Sequence, residues 1–308
     1  MKLLRNPLLE TFVTVADCGG FSEAQYALGI TQSAISIRIR DLETSLGYRL
    51  CERGRGGFRL TERGEIALGK AREMLRCARD FDAELLELRD TVTGDLRIGT
   101  ADAVSSLPGL KLAQALQRFL ARGHDVRLEI TIASPAELTQ KLVSGALHAA
   151  VAPFRNRLSD LVYEPLCHEA HQLYCGREHP LFALPPSQVC PELLPQYPVC
   201  QRSYDMPLLP SRKGPGAAAF ADNMEALAML IETGHYLGPL PVHFAESRVA
   251  AGRLRALEHP QLRWHSEFAL ATRRTQVQPR AVELFSNDLR HGCQSAPDAL
   301  HETCTKAP

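Results

Sequence analysis

A chain of 308 residues can hold two or three compact units, each with its own core. Its 45% hydrophobic and 23% charged content is ordinary for a globular protein, and a formal net charge of zero means that any polyanion-binding surface must gather its basic groups locally. The opening Met1-Lys-Leu-Leu-Arg-Asn-Pro7 has no apolar run of signal-peptide length, no later run approaches a membrane span, and nine scattered cysteines without a Cys-x-x-Cys pair read as reduced thiols. The expected setting is the cytoplasm, with no membrane partner, no cofactor and no structural metal.

Leu8, Leu9, Phe12, Val13 and Ala16 recur at helical spacing, predicting a first amphipathic helix that Gly19-Gly20 ends. A second helix opens at Phe21-Ser22-Glu23-Ala24 with Ser22 as N-cap, packs through Ala24, Ala27 and Leu28, and stops at Gly29. Thr31 caps a third helix two residues later. Two short helices joined by a tight glycine turn make a helix-turn-helix.

In the third helix Ile35, Ile39, Leu42 and Leu46 form one stripe, expected to face the core. Ser33, Ser36, Ile37 and Arg40 fall opposite, with Gln32 at the leading end and Arg38 on the flank. Hydroxyls, an amide and arginines near a helix N-terminus suit a major groove, where Gln reads adenine and Arg reads guanine or clamps phosphate. Beyond Gly47, two apolar strand ends (Leu50; Phe58 and Leu60) flank a glycine-rich turn carrying Arg53 and Arg55, a hairpin able to reach phosphates or a narrow minor groove.

The runs Leu9-Glu-Thr-Phe-Val-Thr-Val-Ala16, Gly20-Phe-Ser-Glu-Ala24, Thr31-Gln-Ser-Ala-Ile-Ser36, Ile39-Arg-Asp-Leu-Glu43, Leu46-Gly47, Leu50, Arg53 and Leu60-Thr61 resemble the LysR-type family of transcriptional regulators. The resemblance implies a winged helix-turn-helix over residues 1–61 that binds double-stranded DNA. Gln32, Ser33, Ser36 and Ile37 would face bases, and Arg53 would enter the minor groove. Ser33 stands where many members carry proline, and Ile37 where many carry arginine or another polar residue; an exposed isoleucine can meet a thymine methyl.

From Thr61 to about Val92 no proline interrupts a helical composition. Ala67, Ala71, Met74, Ala78, Phe81, Leu85, Leu88 and Val92 alternate by four and three, a heptad seam that buries best against a like helix. This predicts a linker and dimerisation helix over 62–92, which in LysR-type proteins pairs antiparallel and sets two winged domains apart. A paired reader implies a partly palindromic site, with half-sites about one helical turn or multiples apart.

Thr93-Gly94-Asp95 marks the next boundary. Strands at Leu96–Thr100, Val126–Ile132 and Ala146–Val151 alternate with helices through Leu112–Phe119 and Pro135–Val143, predicting an α/β unit with a largely parallel sheet. Ligand crevices in such sheets lie at the carboxyl ends of strands, so Thr100, Ala101 and Asp102, then Ser134 and Pro135, then Pro153 should converge. Helix N-termini aimed there would seat a carboxylate or other anion.

The family resemblance extends more loosely through Gly94–Gly99, Leu107-Pro108, Gly145–Ala150, Glu164–Leu166, His179–Leu181 and Gly234–Pro241, the landmarks of the family's effector-binding domain. It implies a two-lobed, periplasmic-binding-protein-like domain over 93–308, with lobe I at about 94–162 and 268–292 and lobe II at about 163–267. The fold class is thus α+β and multidomain. Gln201, Ser203 and Gly238 would join the effector site between the lobes, and His148 replaces an aspartate usual in its motif, a structural change. The partners implied are DNA, a small effector such as a carboxylate or amino-acid-like molecule, and further copies in a homodimer or homotetramer. A polar, aperiodic stretch from Gly292 to Pro308 reads as a frayed tail.

Three sharper patterns carry less. Cys167-His168-x-x-His171 lacks a further ligand cluster for a metal. Cys190 and Cys200 suggest a regulator that responds to cysteine oxidation, the alternative reading, but their surroundings do not reproduce the peroxide-sensing subgroup. Ser134, His148 and Asp102 could be drawn as a triad, yet no nucleophile elbow accompanies them, so no enzyme is expected.

Overall fold

The computed structural model describes residues 4–54, 57–87, 92–203, 219–274 and 278–294. Helix α1 (Pro7–Asp17) starts where Asn6 accepts the Leu9 N–H at 3.1 Å and Pro7 supplies a pre-set first turn. Helix α2 (Phe21–Leu28) begins one residue before the expected cap: Gly20, not Ser22, is the N-cap, and no side chain caps it. Phe21 explains the shift, because it is buried and meets the Phe58 ring edge-on at 5.9 Å. Ala27, expected to pack, is exposed. Helix α3 (Gln32–Leu46) is capped by Thr31, which accepts the Ala34 N–H at 3.2 Å.

Ile35, Ile39 and Leu42 are buried as the stripe requires, but Leu46 is 40% exposed. Gly47, at φ 75, turns the chain there, and the fully buried Leu50 joins the core instead. Strands β1 (Cys51–Gly54) and β2 (Gly57–Leu60) pair antiparallel as the wing. Glu43 of α3 ties that wing down, its carboxylate accepting the N–H groups of Leu50 at 2.7 Å and Cys51 at 3.3 Å. The long helix α4 (Glu62–Glu87) follows, with Leu68 and Ala71 closing the winged domain's core.

The remainder is built on one seven-stranded sheet with helices around it. Its elements run β3 (Thr93–Thr100), α5 (Leu112–Leu120), β4 (Asp125–Ile132), α6 (Pro135–Val143), β5 (Ala149–Ala152), β6 (Leu161–Gly176), β7 (Cys200–Arg202), β8 (Ala219–Ala221), α7 (Met224–Glu232), β9 (Leu237–Pro241), α8 (Val242–Ala250), β10 (Leu254–Ala256), β11 (Arg263–Arg273) and α9 (Arg280–Gln294). The three strands read from the alternation do run parallel, in the order β4–β3–β5, but the sheet they belong to is not largely parallel: β11 pairs antiparallel with β5 and β6, and β6 with β9 and β10, while β7 and β8 form a separate parallel pair. The reason is the two-lobed plan. The long strands β6 and β11 lie side by side in opposite directions and carry the chain between lobes, so their pairing is antiparallel by construction of the path.

Lobe I packs Leu96, Ile98, Phe119, Leu138 and Phe285 into one core, and lobe II has cores around Tyr174 with Leu227 and around Leu173 with Leu194. Helix α9 continues through Gly292 to Gln294, so the expected tail does not begin at Gly292; residues 295–308 lie outside the described ones. Among the described residues no helix is long and apolar enough to cross a membrane.

Candidate functional site

The buried stripe of α3 leaves its other face to solvent. Thr31, Gln32, Ser33 and Arg40 are exposed, and Ile37 is 53% exposed on the same face. Ser36 donates its hydroxyl back to the Gln32 carbonyl at 2.8 Å. Arg38 points another way and donates to Thr11 Oγ1 of α1 at 3.2 Å, pinning α3 to α1. Arg53 lies on β1 opposite Phe58, and Arg55 falls outside the described residues.

On α4 the seam residues divide. Ala71 points into the winged domain's core, Ala78 and Leu85 are half-buried, Met74 and Phe81 are exposed, and Leu88 lies outside the described residues. Another face of the helix meets lobe I through charge. Arg97 of β3, its side chain only 3% exposed, donates to both Asp80 oxygens at 3.1 and 2.8 Å and to the Ala146 carbonyl at 3.1 Å. His148 Nδ1 accepts the Arg97 backbone N–H at 3.2 Å, and its Nε2 lies 2.6 Å from Arg97 Nη2 and 3.5 Å from Asp80 Oδ1. Burial opposes the Asp80 charge, but His148 and Arg97 outweigh it and hold its pKa at about 2. Sequence reasoning missed this junction, although His148 in place of the motif's aspartate was its one visible signal.

In lobe I the strand ends do converge. Ala133 N–H bonds the Thr100 carbonyl at 3.1 Å, and Ala101 N–H bonds Val151 at 3.1 Å, which brings Thr100–Asp102, Ser134–Pro135 and Pro153 to one edge. Thr100 Oγ1 is buried there without a hydrogen-bond partner. The α6 N-terminus is already occupied: Ser134 and Glu137 cap it reciprocally. Asp102 reaches lobe II. Its Oδ2 accepts the Met224 N–H at the start of α7 at 2.5 Å, and its Oδ1 lies 3.6 Å from Arg202, an ion contact too long for a hydrogen bond. The next residue, Ala103, holds φ 58, a conformation costly outside glycine. Gln201 is buried on β7, Ser203 donates to Asp222 at 2.7 Å, and Gly238 packs inside lobe II, where a Cβ would strike Cys200 and Ile231.

A second bridge crosses the lobes beside it. Ser106 lies 2.9 Å from His243 Nδ1, and His243 Nε2 lies 2.9 Å from Glu169 Oε1 on β6. His171 Nε2 sits 2.8 Å from the other Glu169 oxygen, without hydrogen-bond alignment, and stacks on Trp264. Burial alone would raise the Glu169 pKa, but the two imidazoles more than cancel it and hold it at about 2. A folded-state pKa below the ordinary carboxylate value contributes stability above about pH 4.5 that is lost as pH falls through about 2, on the order of 3 kcal/mol. Acid unfolding followed at Trp264 should therefore lose part of its steepness below pH 4.5 in Glu169→Gln; an unchanged profile would show that the carboxylate carries no such linkage.

The cysteines and the remaining histidine pattern do little here. Cys167 and Cys200 are pushed up to about 12 by burial, and Cys190 is half-buried. Among the described residues no cluster of three or more His, Cys, Asp or Glu could hold a metal ion.

A winged domain, a long connecting helix and a two-lobed α/β domain together define a DNA-binding regulator with its own sensor domain. The model of the LysR substrate binding domain matches residues 89–294, and that of the bacterial regulatory helix-turn-helix protein, lysR family, matches residues 7–65. The chain belongs to the LysR family of transcriptional regulators. It is 35% identical over 280 residues to the HTH-type transcriptional activator BauR of Pseudomonas aeruginosa, covering 90% of this chain and 92% of that one. It is 30% identical over 258 residues to the SDS degradation transcriptional activation protein of a Pseudomonas species, covering 81% and 83%. In fold it is similar to full-length CbnR complexed with its target DNA, with TM-score 0.63, 20% identity and coverage of 94% of this chain and 100% of that one.

Proposed function

We propose that this regulator reads duplex DNA in the cytoplasm through Thr31, Gln32, Ser33, Ser36, Ile37 and Arg40 of α3, with Arg38 on its flank and Arg53 and Arg55 on the wing. The observation that carries this reading is the exposed α3 face, with Ile37 on it, set opposite a fully buried one. Gln32 at the leading end would contact a base edge, Ile37 a thymine methyl, and the wing arginines phosphate or minor groove. Two chains pair through α4 and assemble further as a homotetramer. A small effector, a carboxylate or amino-acid-like molecule, binds between the lobes at Thr100, Ala101, Asp102, Ser134, Pro135, Pro153, Gln201, Ser203 and Gly238. It acts only through a difference in affinity for two arrangements of the assembly.

Asp102 gives this site its logic: a resident carboxylate holds the α7 N-terminus beside Arg202, so an effector carboxylate would compete for that seat. The oxidation reading finds no support in Cys200, whose raised pKa leaves almost no thiolate at neutral pH. The DNA reading is tested by binding isotherms at several salt concentrations. Arg53→Ala should weaken binding to every duplex and reduce the salt slope by about one unit, and Gln32→Ala should relax preference at one base pair. Unchanged isotherms for both variants would remove these residues from the interface.

A further inference from the structure

We propose that the cleft between the winged domain and lobe I is a ligand site in its own right, apart from the space between the lobes, and that it takes a small amphipathic anion: a compact apolar body carrying a carboxylate, phosphate or sulfonate. The cleft is a cavity of about 520 Å³, a size suited to a small molecule. One side is formed by α1, the residues just before it, and α4. The other side is lobe I, through the edge strand β4, Lys141 of α6, and Ala146 and Leu147.

The apolar part of the wall is Val13 on α1, Leu75 and Ala78 on α4, and Leu147 in lobe I. Charge decides the sign of the ligand. Six lining side chains are cationic and four anionic, and most are already matched. Arg5 pairs with Glu10 at 3.1 Å and Arg72 with Asp17. Arg97 is held by Asp80 at 2.8 Å, and Arg79 lies 3.7 Å from Asp95, a carboxylate that also serves Arg127 at 3.0 Å. Asp82 is engaged too, and the charge of Glu129 acts on Arg127, two places along the same face of β4. Arg76 and Lys141 remain, and among the described residues neither forms an ion pair. They come from opposite sides of the cleft, α4 and α6, so one anion between them would be clamped by both. Lys141 is exposed and Arg76 half-buried, whereas Leu147 is only 3% exposed. The anionic end therefore belongs at the mouth and the apolar body inside.

A ligand seated here touches the winged domain and the sensor domain at once, so it favours whichever arrangement of the two keeps the cleft formed. Anilinonaphthalene sulfonate is a probe of this build, an aromatic body with one sulfonate, and it brightens when it leaves water. Titrated into the full-length protein, it should bind saturably at one dye per chain. Arg76→Glu and Lys141→Glu should each raise its Kd about tenfold. Thr131→Phe keeps every charge in place and fills the cleft from β4, where an aromatic side chain suits a strand, so it should abolish the bright site. That variant decides the matter should a charge reversal upset the fold, which thermal melts would reveal. An unchanged Kd in the variants that fold, or fluorescence that never saturates, would overturn the site. Loss of binding in Arg202→Gln but not in Arg76→Glu would put the dye between the lobes and overturn it equally.

Discussion

Asp80→Ala is expected to destabilise the union of α4 with lobe I by about 3 kcal/mol, more than Arg97→Met at the same contact. The asymmetry follows from burial. Arg97 is 3% exposed and cannot be rehydrated in place, so losing Asp80 leaves a buried guanidinium whose next carboxylate, Asp95, is 3.7 Å away. Asp80 is 21% exposed, so without Arg97 it turns to water, and methionine refills most of the vacated volume. Urea unfolding of the full chain, read at Trp264 in the sensor domain and by far-UV dichroism for the helices, should split into two less cooperative transitions in Asp80→Ala. Equal losses in the two variants would show that burial does not set the energetics of this contact.

Gly64→Val should unfold or misdock the winged domain, at a cost of about 3 kcal/mol or more, and abolish DNA binding. A Cβ at Gly64 would run into the Leu50 carbonyl, the group that also accepts the Thr61 N–H at 3.0 Å where the wing meets α4. Backbone cannot yield there as a side-chain end could. Gly69, on the same helix, is the control. A Cβ there meets nothing within 4 Å, so Gly69→Ala should stabilise α4 by up to about 1 kcal/mol. Thermal melts of both variants with a duplex-binding assay decide the matter; the same sign at both positions would contradict the packing of α4 on the wing.

The two α4 glycines illustrate what a sequence can and cannot tell. Both interrupt the same apolar pattern, and nothing local separates the one lying under a carbonyl from the one in open solvent. The seam itself had a legible period but an illegible phase. Ala71 and Met74 both fit four-and-three spacing, yet α4 has two apolar faces, and only the packed structure shows that one closes the winged core. The reading face of α3 was legible because a buried stripe and an exposed face on one helix are opposite statements of the same periodicity. Strand direction was not, since alternation is alike in parallel and antiparallel pairs, and the long crossing strands β6 and β11 make most of this sheet antiparallel. Asp80, Arg97 and His148 are far apart in the chain, and Asp102 meets Met224 across the lobes; such pairings of charge belong to tertiary structure alone.

Selecting bound sequences from a random duplex library with the full-length protein asks whether α3 and the wing read duplex DNA in pairs. A partly palindromic motif whose half-sites lie about one helical turn or a multiple apart should be enriched, and with Gln32→Ala the motif should relax at one position per half-site. Enrichment of no motif at all, or the same motif from protein lacking residues 1–61, would contradict it.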